Sequence, residues 1–248
     1  MTNAMITLEN ISVHYRAPEE RIGTLKEFMI RLMQGRIRFR EFQALKGVNL
    51  EIHRGEVLGL IGHNGAGKST LLKVVSRVLA PTRGRVVICG KVAPLLELSA
   101  GFHPELTGRE NIFLNGTLLG RTHREIRAKV DEILEFADVG GFIDVPLRAY
   151  SSGMSARLGF AVATAWEPEI LLVDEVLSVG DEAFQRKCLE RIDSFGTSGV
   201  TVIIVSHRMQ TILERCTHAA LLDHGCLVTA GTPAEVVKAY RDSQARAA

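Results

Sequence analysis

The sequence predicts an α/β fold with a largely parallel sheet and a helical insertion. Three observations point there. Short apolar runs at 56–61, 170–173 and 200–205 read as strands buried on both faces. They alternate with segments of helical periodicity, the pattern of strands joined by crossover helices. A glycine-rich turn also joins the first of these strands directly to a helix opening at Lys68.

The elements follow in order. Met5–Asn10 reads as a strand, with Ile11–Tyr15 continuing it or forming the next; Leu45–Ile52 is another. The helix from Lys68 is expected to run to about Leu79, before Pro81. Thr107-x-x-Glu110, Thr122-x-x-Glu125 and Thr232-Pro-Ala-Glu235 are capping boxes, the last with Pro233 at the first helical position. The helices near 108–119 and 123–137 form the insertion. A His224-Gly225 turn predicts a hairpin from Ala219 to Thr229, and a helix follows over 233–243. Between Tyr15 and Leu45 lie more residues than a strand-to-strand connection needs. There Leu25, Phe28, Met29, Leu32 and Met33 mark one face of an amphipathic helix, with Lys26, Arg31, Arg36, Arg38 and Arg40 making it basic. It reads either as a surface helix packed on the core or as a face toward anionic head groups or a membrane partner.

Bulk properties exclude several classes. A chain of 248 residues buries a sizeable core without staples. Formal charge is +2, which gives no global field for nucleic acid. Cys89, Cys188, Cys216 and Cys226 are scattered, as thiols in a reducing compartment are, rather than a metal or disulfide frame. Residues 1–10 lack the apolar stretch of a secretory leader. The longest apolar runs fall short of the roughly 18 residues a membrane span needs, so membrane docking rather than insertion is expected.

The chemistry concentrates at Gly62-His63-Asn64-Gly65-Ala66-Gly67-Lys68-Ser69, with Thr70 beyond it, which fits G-x-x-x-x-G-K-[ST] between a buried strand and a helix. Glycines let backbone N–H groups converge on a phosphate, and the helix N-terminus adds positive partial charge. Lys68 would reach the β- and γ-phosphates and Ser69 would ligate Mg²⁺. Ile170–Val173 ends in Asp174-Glu175: Asp174 is placed to hold Mg²⁺ through water, Glu175 to orient and polarise the attacking water. ATP and Mg²⁺ are the expected ligands.

Further segments carry a family resemblance. Tyr150-Ser151-Ser152-Gly153-Met154 resembles the L-S-G-G-Q signature of ABC ATPases, Ser151 and Gly153 matching its serine and second glycine while Tyr150, Ser152 and Met154 depart from it. Val205-Ser206-His207 resembles the segment of the family's switch histidine, Ser178-Val-Gly-Asp181 its D-loop, and Tyr15 the aromatic that stacks on adenine. Residue by residue these also read as a helix N-cap, a surface histidine and a packed strand residue. The family's glutamine before the helical insertion is missing; Glu97 is its nearest counterpart for a metal contact. Segments 95–111, 150–154 and 174–181 look like the ATPases of O-antigen and teichoic-acid exporters.

The resemblance implies a P-loop NTPase core of RecA-like type over 1–96 and 168–248, a helical subdomain over 97–167, the amphipathic insertion over 16–44 and a small antiparallel β part, together one ATPase domain over 1–248. It implies an ATP-sandwich homodimer, each ATP held by one phosphate loop and by Ser151–Gly153 of the other copy, with Glu175 and His207 in the catalytic roles. It implies an integral membrane permease as partner, a lipid-linked glycan handled through it, no nucleic acid, and a peripheral place on the cytoplasmic face of a bacterial inner membrane. No carbohydrate-binding domain is expected after the helix at 233–243. Export of lipid or drug, and a soluble ABC ATPase without transport, are the alternatives.

Overall fold

The computed structural model describes residues 3–18, 29, 34, 39–95, 101–174, 181–206 and 208–247. Glu97, Glu175, Ser178–Gly180 and His207 lie outside these residues, as does the amphipathic helix of the insertion apart from an exposed Met29.

Two sheets form the core. The larger has the order β5(Val92–Pro94)-β6(Ile170–Val173)-β7(Thr201–Val205)-β3(Val57–Ile61)-β8(His218–Asp223)-β9(Cys226–Gly231). It is parallel except for β9, which returns from β8 as the expected hairpin. Its strands are apolar throughout because both faces are covered. Ile170, Leu172, Ile203 and Val205 join one core cluster, and Leu171, Val173, Val202 and Ile204 join another, so successive side chains feed opposite layers. Below the second layer lies α5(Glu182–Ser198), which contributes Phe184, Cys188, Ile192 and Phe195.

The smaller sheet is antiparallel, with the order β2(Phe39–His53)-β1(Ala4–Pro18)-β4(Arg83–Ile88). The two predicted runs at 5–10 and 11–15 are one strand broken by a bulge. Asn10 takes φ 52°, the register shifts between Leu8 and Ile11, and the Asn10 N–H donates to Asn49 Oδ1 at 2.8 Å. This sheet packs Ile6, Leu8, Leu45 and Ile52 on α1(Lys68–Val75) and the larger sheet.

α1 stops at Val75, four residues before the end expected from sequence. Ser76 caps it, and Arg77 turns left-handed at φ 60° with its N–H on the Val74 carbonyl. The helical layer comprises α2(Gly108–Leu118), α3(His123–Ala137) and α4(Ser152–Ala163) around a separate cluster centred on Ile112, Ile126, Ile133 and Leu158. α6(Met209–Arg215) and α7(Pro233–Ala247) close the far side of β8. All three capping boxes form: Thr107, Thr122 and Thr232 exchange hydrogen bonds with Glu110, Glu125 and Glu235. Among the described residues no helix is long and apolar enough to cross a membrane.

Candidate nucleotide site

The phosphate loop spans Gly62–Gly67, between central strand β3 and α1. It turns tightly because glycine occupies its two crowded corners. Gly62 has φ 152°, and a Cβ there would lie 2.2 Å from the Leu222 carbonyl oxygen. Gly67 has φ 108°, and a Cβ would meet the Ala44 carbonyl at 2.7 Å. Gly67 also caps α1 without a side chain, so no side-chain oxygen takes up the amides of the first turn. Hydrogen bonds from Gly225 N–H to the Ala66 carbonyl (2.9 Å) and from Lys46 N–H to the Gly225 carbonyl (2.8 Å) brace the loop on the β8–β9 turn and on β2.

Lys68 is buried, at 8% exposure. Its ammonium donates to the carbonyls of Gly62 (2.6 Å) and His63 (3.0 Å). Burial pushes its pKa down, and the nearby Asp174 carboxylate pulls it back up. The structure thus brings together Lys68, at the end of β3's loop, and Asp174, at the end of β6, although β7 separates the two strands. Ser69 is exposed on the first turn of α1, Thr70 half-buried beside it, and Ala66 is buried under the loop; Asn64 and Gly65 lie exposed at its tip. Tyr15 sits on β1, 39% exposed and in register with Phe42, itself 59% exposed. The two aromatic rings therefore share one face of the antiparallel pair.

Ser151 is the N-cap of α4: its Oγ accepts from Met154 N–H at 3.2 Å, with Ser152 exposed beside it. A Cβ on Gly153 would meet nothing nearer than the Ser151 hydroxyl at 3.8 Å, so the backbone here is open to close approach. These residues belong to the helical layer, apart from the cluster beneath the phosphate loop. Arg157, on the same helix, was not apparent from sequence. It donates to Asp181 Oδ2 at 2.6 Å and lies over the Phe184 ring at 5.0 Å. Asp181 in turn caps α5, accepting from Phe184 N–H at 2.9 Å, and that backbone donor holds its carboxyl below the usual range. Only the 24-residue separation of Arg157 and Asp181 hid the link. Cys188 and Cys216 thiols are pushed up to about 12 by burial, which leaves them unreactive packing groups.

A strand–loop–helix phosphate cradle, closed by a buried lysine and faced by an aspartate from a second strand, defines a nucleotide-binding cassette. A family model described as "ABC transporter" matches residues 45–178. The chain belongs to the ABC transporter family. It is 47% identical to the O-antigen export system ATP-binding protein RfbB of Klebsiella pneumoniae, covering 83% of this chain and 84% of that one. The RfbB of Myxococcus xanthus is 46% identical over 89% of this chain, which spans about half (51%) of that relative's length. A solved dimeric ATP-binding cassette, in a post-hydrolysis state bound to ADP and Pi, superimposes with a TM-score of 0.73 at 24% identity, covering 92% of this chain and 99% of that one.

Proposed function

We propose that this chain is the ATP-hydrolysing subunit of an exporter that moves a lipid-linked polysaccharide, of the O-antigen or teichoic-acid kind, across a bacterial cytoplasmic membrane. One observation carries the reading: the buried Lys68 closes a phosphate loop within reach of Asp174, in a chain 47% identical to an O-antigen export ATP-binding protein over 84% of that protein's length. The loop amides and the uncapped first turn of α1 bind the phosphate tail, and Tyr15 offers its exposed ring to the adenine. Ser69 and Asp174 supply a hydroxyl and a carboxylate, the hard oxygen donors that suit Mg²⁺, with Glu97 as a further candidate ligand. Bound there, Mg²⁺ would neutralise charge on the phosphate oxygens. Glu175 follows Asp174 directly and takes the role of orienting and polarising water; His207 takes that of holding the γ-phosphate geometry.

Ser151, Ser152 and Gly153 act on the nucleotide of a second copy. Their exposed hydroxyls, and the first-turn amides of α4 that the Ser151 cap does not take up, leave donors for a γ-phosphate arriving from outside the chain. ATP then forms part of the dimer interface, and its hydrolysis releases the two copies, which moves an integral membrane permease.

The test is Glu175→Gln. With Mg·ATP the purified variant should elute as a stable dimer and lose steady-state hydrolysis by about a hundredfold or more. In cells carrying the permease, surface polymer should disappear while polymer accumulates inside. Wild-type hydrolysis would remove Glu175 from its role, and wild-type surface polymer would overturn the export assignment.

A further inference from the structure

We propose that His63, Asp223 and His224 form a site for one divalent transition cation of the imidazole-preferring class, with Zn²⁺ as its probe. The three side chains meet where the phosphate loop touches the β8–β9 turn, and their ligand atoms lie within 4.8 Å of one another. His63 Nε2 is 2.8 Å from Asp223 Oδ1, and His224 Nε2 is 3.9 Å from the same oxygen. Tetrahedral Zn²⁺ with bonds of about 2.0–2.1 Å sets its ligands about 3.3 Å apart, between these two separations. Small side-chain shifts therefore complete the geometry.

The His63 tautomer argues for a cation at this point. Its Nδ1 lies 2.6 Å from the Asn64 carbonyl oxygen, which can only accept, so Nδ1 carries the hydrogen. In the neutral ring Nε2 then presents a lone pair close to, but not directed at, a carboxylate oxygen that also only accepts. Two acceptors 2.8 Å apart repel unless something positive lies between them. Nε2 is buried yet makes no directed hydrogen bond, since the carboxylate oxygen lies off the axis of its lone pair. A proton joins only two atoms, whereas three converge here. A Nδ1–H held by a backbone carbonyl is the support that orients a metal-binding imidazole.

The surroundings suit a metal. A cleft of about 840 Å³, lined by His63, Asp223, His224 and, from α7, Tyr240 and Ser243, gives an entry path and room for a water as fourth ligand. The ligands come from segments about 160 residues apart in the chain, so the ion would fasten the phosphate loop to the hairpin turn where Gly225 already donates to Ala66.

The experiment uses the whole chain, free of nucleotide, with Zn²⁺ uptake followed by calorimetry and Co²⁺ uptake by its visible absorption. The wild type should take up a single Zn²⁺ saturably and give the intense Co²⁺ bands of a tetrahedral site. His224→Asn removes one imidazole while suiting the left-handed backbone at this turn, where φ is 45°. His224→Asn and Asp223→Asn should each weaken Zn²⁺ binding about tenfold or more and remove the Co²⁺ bands without lowering Tm. Cys226→Ser, at the exposed thiol two residues on, should keep wild-type affinity. No saturable uptake by the wild type, wild-type affinity in His224→Asn, or loss of binding in Cys226→Ser alone would overturn the site.

Discussion

Lys68 folds back onto the loop that delivers it, its ammonium 2.6 Å from the Gly62 carbonyl oxygen. The same ammonium reaches the His63 carbonyl at 3.0 Å, so one cation holds the two consecutive carbonyls that begin the phosphate loop. With the side chain buried and Asp174 facing it, the charge lies among fixed dipoles rather than in bulk water.

Lys68→Ala should therefore weaken Mg·ATP binding itself, not only turnover. Charge-assisted hydrogen bonds of this kind are worth about 1.5–3 kcal/mol, which corresponds to a Kd raised about ten- to hundredfold. Lys68→Met keeps most of the apolar stem and loses the donors, so it should match the alanine variant in affinity. Calorimetric titration of both checks this; wild-type affinity in either would take Lys68 out of the site.

Asn111 should matter for stability rather than for nucleotide affinity. It is fully buried, shares its amide N–H groups among the carbonyls of His103, Leu106 and Thr107, and accepts from His103 N–H at 2.7 Å. Asn111→Ala leaves the part-buried His103 N–H without its acceptor and takes one donor from each of the three carbonyls, which keep backbone N–H partners, at a cost of about 1–3 kcal/mol, or about 2–12 °C in Tm for a chain of this size. The ATP Kd should stay within about twofold, because Asn111 lies in the helical layer. A Tm within a degree of wild type would mean that the loop over 103–107 holds itself.

What was legible in the sequence is what local chemistry decides. Ile170–Val173 reads as a strand because every side chain in it is buried, and Thr122 reads as a cap because its partner Glu125 is three residues away. The phosphate loop is legible for the same reason: its glycines, lysine and serine act within eight residues of chain. The bulge at Asn10 was hidden because a neighbouring strand, through Asn49, sets it. The early end of α1 depends on Arg77 taking a left-handed turn that nothing in its residue type demands. Arg157 with Asp181, and His63 with Asp223 and His224, are pairings through space, which periodicity and spacing do not carry.

Acid should destabilise α2, α3 and α7 through their capping boxes. Glu125 is held below the ordinary value of 4.5 by the Thr122 hydroxyl and then the Thr122 N–H; Glu235 follows the same order with Thr232, while for Glu110 the Thr107 N–H leads. A carboxyl whose folded pKa lies below its unfolded value releases its proton more readily in the folded chain. Its contribution is therefore present above the unfolded value and is lost as pH falls through the folded one. Replacing Glu110, Glu125 and Glu235 together by glutamine removes that titration. The triple variant should melt below wild type near neutral pH, and the two Tm curves should converge as pH falls through and below 4.5, where the wild-type boxes protonate. Circular dichroism melts at fixed ionic strength measure this directly. Parallel curves across that range would mean that the three carboxylates bind their caps no better than a neutral amide does.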